Sequence, residues 1–104
     1  MKTHKWKEQD DVVVLYLYKF GIKNIPYTIE NISNILGMST ASLRMRIANF
    51  KALDKRGGLY HYAKLSEKIY NEYKDFPESE LRNIVINILS SMENDRSKRS
   101  NKGI

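Results

Sequence analysis

The stretch from Ile32 to Asp54, I-S-N-I-L-G-M-S-T-A-S-L-R-M-R-I-A-N-F-K-A-L-D, decides the fold. A short amphipathic segment ends at Gly37, the residue type best able to take the left-handed backbone that closes a helix. Ser39 or Thr40 then caps a second helix, which runs to about Leu53 and carries Arg44, Arg46 and Lys51. Two helices joined by so short a turn are the layout of a helix-turn-helix, whose second helix is offered to the DNA major groove.

On the N-terminal side, Trp6 to Phe20 reads as a first helix. Val13, Tyr16, Leu17 and Phe20 follow helical spacing, and Glu8, Asp10 and Asp11 fall in the first turn, where the helix dipole favours acids. Val12 to Tyr18 is also rich in strand formers, but no second strand of similar quality is present to pair with it. Ile22 to Tyr27 is a connector held extended around Pro26. Thr28 caps the helix that runs to Leu36, with Ile29, Ile32, Ile35 and Leu36 on its apolar face.

On the C-terminal side, Asp54-Lys55-Arg56-Gly57-Gly58 reads as a turn, too close to the next helix to leave room for a full β-hairpin wing. Ala63 to Tyr73 is a fourth helix, with Leu65, Ile69, Tyr73 and Phe76 on one face. Asp75, Pro77 and Glu78 suit a helix start. The fifth helix, to about Glu93, has a clean period in Leu81, Ile84, Val85, Ile88, Leu89 and Met92. The expected fold class is all-α: a five-helix domain over 1–93 with helices near 6–20, 28–36, 40–53, 63–74 and 77–93, and a disordered basic tail over 94–104.

Composition narrows the function classes. The 104 residues suffice for one modest core. The absence of cysteine excludes disulfides and thiolate metal sites and fits a reducing compartment. No apolar run approaches the roughly 18 residues a bilayer span needs, and the first apolar run follows acids rather than a basic start, so no signal peptide is expected. A cytoplasmic location and no membrane partner follow. The net charge of +6 is uneven: Met38–Gly58 carries five basic residues against one acidic, and Asn94–Ile104 four against one, whereas Leu59–Glu93 is net acidic. A basic protein patterned this way suits phosphate binding, although a solvated basic surface kept for solubility gives the same numbers.

Two arrangements fit the third helix. At about 100° per residue, Leu43, Ile47 and Phe50 share the inward face. The other side carries Ala41, Met45, Ala48 and Ala52, with Arg44 and Lys51 on one flank and Ser42, Arg46 and Asn49 towards the other. Small residues would let the helix sink into the groove, where Ala and Met meet thymine methyls, Arg pairs with guanine or phosphate, and Asn49 pairs with adenine. Alternatively the helix is apolar on two sides because it is central, covered by the fourth and fifth helices. The first arrangement makes Ser39, Thr40, Ser42, Arg44, Met45, Arg46, Asn49, Lys51, Lys55 and Arg56 the candidate DNA-binding residues.

The segment Ser39 to Asp54, followed by Gly58-Leu59, resembles a helical domain found ahead of the nuclease in some bacterial HNH restriction-type endonucleases. There a helix of the form S-[VL]-x-x-[RK]-x-x-N-F-x-x-L-D leads to a Gly-Leu turn. The tryptophan that opens an acidic, apolar first helix is similar too, so the likeness spans residues 6–60. The matching positions are Ser42, Asn49, Phe50, Leu53 and Asp54. Phe50 and Leu53 read as core; Asn49 and Asp54 suit local backbone bonds as well as DNA. The resemblance implies a module that handles nucleic acid. The nuclease half has no counterpart here, so no catalytic role is implied, and a regulator or an inhibitor both fit.

Other chemistry is thin. His4 and His61 do not sit in a cluster of carboxylates such as a metal hydrolase needs. Gly57-Gly58 is a turn rather than a phosphate loop. Tyr60 and Tyr62 suit packing better than base stacking. No enzyme activity, metal or cofactor is expected. The expected function is transcription regulation or an accessory role in a bacterial, phage or other mobile-element system, through duplex DNA. The abundance of Lys, Asn, Ile and Tyr adds a compositional hint of an A/T-rich source genome. The rival is a protein-interaction module, such as a phage-encoded inhibitor of a host nuclease or defence complex. Leu81, Val85, Ile88 and Met92 also form a heptad-like seam that suits a homodimer through helix 77–93; alternatively the whole stripe closes the monomer's own core.

Overall fold

A computed structural model describes residues 4–56 and 64–102, with side chains for 4–55 and 64–95. The described residues form five helices and no strand: α1 (Glu8–Phe20), α2 (Ile29–Leu36), α3 (Thr40–Arg56), α4 (Lys64–Tyr73) and α5 (Glu78–Lys102). The expected all-α class holds. Residues 57–63, which include Gly57-Gly58, Tyr60, His61 and Tyr62 and the place where a wing would lie, fall outside the described residues.

The punctuation acts as its chemistry predicts. Thr28 Oγ1 accepts from the Asn31 amide at 3.0 Å, and Asn31 Oδ1 accepts from the Thr28 amide at 3.2 Å, a reciprocal cap. Gly37 sits at φ 84°, ψ 36°, the left-handed region that a side chain would strain, and its amide returns to Ser33 and Asn34 carbonyls. Ser39 Oγ accepts the Ser42 amide at 3.1 Å and so caps α3. Between α2 and α3 only Gly37, Met38 and Ser39 intervene.

The central helix is α1, not α3. Every residue from Asp10 to Leu17 is buried, and α3, α4 and α5 all pack on it. This explains why Val12 to Leu17 is apolar without alternation: a helix covered on all sides has no wet face. Leu43, Phe50 and Leu53 of α3 and Ile69 of α4 reach this core, as do Leu81, Val85 and Leu89 of α5. Burying each such side chain stabilises the fold by about 1.5–3 kcal/mol. Tyr16 lies wholly inside, and its hydroxyl donates to Glu78 Oε2 at 2.6 Å. That bond ties α1 to the first turn of α5. Burial, then the neighbouring carboxylate, push the Tyr16 phenol up to about 12.

Two expectations are corrected. Asp54 to Arg56 are the last turn of α3 rather than a loop. The chain beyond Glu93 is helical to Lys102, nine residues past the expected end, where a disordered tail was anticipated. No glycine or proline falls between Glu78 and Lys102 to stop the helix. The apolar stripe on α5 faces the monomer's own core, the alternative to a dimer seam. Leu81, Val85 and Leu89 are buried in the monomer, and Ile84, Ile86, Ile88 and Met92 are partly buried against the same core. Among the described residues, Ile22 and Met45 are the exposed large hydrophobics, and neither is on α5.

Candidate nucleic-acid interface

α3 is covered on one side only. Leu43, Phe50 and Leu53 are buried and Ile47 is half-buried, while Ala41, Arg44, Met45, Ala48, Lys51, Asp54 and Lys55 are exposed. Met45 is 75% exposed, so the arrangement in which other helices cover the alanine face does not hold. Ala41, Met45 and Ala48 form the open centre. Arg44, Lys51 and Lys55 follow one another at spacings of seven and four, a row along one edge spanning about 16 Å.

The only acid of α3 is Asp54, and it is held by other helices. Tyr18 of α1 donates to Asp54 Oδ2 at 2.6 Å, and Tyr70 of α4 to Oδ1 at 2.5 Å. Asp54 is therefore a three-helix tie, not a group bonded to local backbone. The two phenol donors hold its carboxyl below the usual carboxylate range. The same bonds push both phenols up to about 12. A carboxyl lowered on folding adds stability above its unfolded value of about 3.9, and that stability is lost as the pH falls through the folded value. Acid titration of the unfolding midpoint below about pH 4 should therefore show a shallower fall for the Tyr18→Phe/Tyr70→Phe variant than for the wild type. Equal slopes would deny the tie.

Arg46, expected on an exposed flank, points inward. Its Nε donates to Asp11 Oδ1 at 2.8 Å and its Nη2 to Oδ2 at 2.7 Å. Asp11 is 0% and Arg46 12% exposed at the side chain. Ser66 of α4 donates to the same carboxylate at 3.3 Å. The Trp6 ring lies on the guanidinium, 4.1 Å from its centre, and His4 meets Trp6 edge-on. One arginine thus joins the N-terminal segment, α1, α3 and, through Asp11, α4. It is withdrawn from the set of candidate DNA-binding residues.

The remaining candidates divide by what they touch. Ser39 and Ser42 are used in the cap, with their hydroxyls 3.2 Å apart. Thr40, the first residue of α3, is half-buried. Asn49 is half-buried and lines a shallow depression with Trp6, Ser42, Met45 and Arg46. Arg44, Met45, Lys51 and Lys55 are exposed. The side chain of Arg56 lies outside the described residues. Trp6 had not been counted among the site residues, although a tryptophan beside a helix that carries one inward arginine offers that arginine a ring to stack on. Among the described residues no group of three or more His, Asp or Glu is placed to hold a metal ion. None of the described helices is long and apolar enough to cross a membrane.

Comparison with family models, with curated proteins and with solved structures finds no match to this chain.

Proposed function

We propose that this chain is a small duplex-DNA-binding protein that lays the open face of α3 in the major groove, as a regulator or accessory factor of a bacterial or mobile-element system. The observation that carries the proposal is the bare face of α3: small residues and Met45 at its centre, and Arg44, Lys51 and Lys55 in a row along its edge. Small side chains allow close approach to base edges, and a basic row suits a line of phosphates. The one carboxylate of the helix is engaged by the phenols of Tyr18 and Tyr70, and Arg44, Lys51 and Lys55 outnumber it, so the helix stays net basic. The short turn between α2 and α3 and the resemblance to the module ahead of HNH nucleases support the same conclusion. No catalytic group is assigned.

The test is retention of labelled duplex DNA across a salt series. About four neutralised phosphates give a slope of log K against log salt near −3 to −4. A flat dependence, or no retention at low salt, rejects the proposal. The exposed thioether of Met45 favours one rival, a protein partner that covers the same face. Under that rival, duplex DNA is not retained.

A further inference from the structure

Most of what a major groove displays is polar: acceptors on guanine and adenine, donors on adenine and cytosine, and the O4 of thymine. The thymine C5-methyl is the apolar exception. The centre of the open α3 face is apolar as well. Ala41, Met45 and Ala48 are exposed there, and none carries a hydrogen-bonding side chain. Laid against the edges of G·C pairs, such a face strips water from donors and acceptors and returns nothing to them. Laid against thymine methyls, it buries apolar surface on both sides.

We infer that α3 reads thymine methyl groups, with Met45 as the contact residue and A·T pairs as the class of site selected. This rests on the duplex-binding proposal and extends it to what is recognised. The unbranched thioether of Met45 adapts to the position of a methyl more readily than a stiff side chain does. The depression beside Met45 adds a second observation. Its wall includes Asn49, whose amide matches the N7 acceptor and N6 donor of adenine, the partner of thymine in the same pair. Arg46, in the same wall, is fixed by Asp11 and so does not reach out to guanine. The edge row of Arg44, Lys51 and Lys55 supplies charge complementarity to the backbone without choosing a sequence.

The experiment enriches bound sequences from a random duplex pool with the full chain, then remakes the enriched duplexes with uracil in place of thymine, which removes only the methyl. Enriched sequences rich in A·T are expected, with about fourfold weaker binding per contacted methyl after the exchange. Met45→Gln is expected to bind thymine and uracil duplexes alike, while keeping the wild-type salt slope and melting temperature. Equal binding of both duplexes by the wild type overturns the inference but leaves duplex binding standing. So does discrimination retained in Met45→Gln, or salt-sensitive retention without enrichment. No retention of any duplex overturns both.

Discussion

Arg46→Ala is expected to lower the stability of the fold by about 3–5 kcal/mol, the usual consequence of leaving one member of a buried ion pair alone. Asp11 is fully buried, and both of its oxygens are bonded by the Arg46 guanidinium. Removing the arginine strands a carboxylate in the first turn of the central helix, where the Ser66 hydroxyl still donates to it at 3.3 Å. It also uncovers the face of Trp6 on which the guanidinium lies. A domain of this size has a total stability on the order of 5–15 kcal/mol, so the loss is a large share of the whole. Arg46→Lys should recover little, because an ammonium cannot make the forked pair. Asp11→Leu/Arg46→Met, which removes both charges, should recover most of the loss. Urea unfolding followed by circular dichroism checks all three, and an unchanged midpoint for Arg46→Ala would refute the buried pair.

Reversing the edge row in Arg44→Glu/Lys51→Glu/Lys55→Glu should abolish DNA binding and spare the fold. Three attractive charges become three repulsive ones, added to the one carboxylate the helix already carries. At about 0.1 M salt a loss of more than roughly 100-fold in affinity is expected. All three side chains are exposed, so the unfolding midpoint should stay within the small range usual for surface changes. Fluorescence anisotropy with labelled duplex, read beside thermal unfolding, separates the two effects. Binding that survives the triple reversal would move the interface off α3.

The helices were legible because their ends are written locally. Thr28, Gly37 and Ser39 each act through bonds to residues no more than four away. What the sequence did not yield depends on partners far along the chain. Asp11 and Arg46 are 35 residues apart, and the acid was credited to the helix dipole while the arginine was placed on an outer flank among the candidate DNA-binding residues. A helical wheel does hold the missing signal: Arg46 lies four residues before Phe50, about 40° from it, and so on the buried side. Asp54 likewise finds its two phenols 36 and 16 residues away, on different helices.

The apolar stripe of α5 illustrates another limit. Its period was read correctly, but periodicity gives a face and not its partner. The central position of α1 places Leu81, Val85 and Leu89 of that face in the monomer's core. The openness of the alanine face on α3 was similarly undecidable from spacing, because a central helix and a groove-reading helix share the pattern. Which helix the others surround decides it, and here that helix is α1.

Chemical-shift mapping on the isotope-labelled full chain, titrated with mixed-sequence duplex DNA at low salt, tests the central claim most directly. The account predicts that the perturbed signals cluster at Ala41, Arg44, Met45, Ala48, Lys51 and Lys55, with the Met45 methyl among the largest. Amides of the buried stretch from Asp10 to Leu17 should stay in place. Perturbations confined to surfaces away from α3, or none at all, would contradict it.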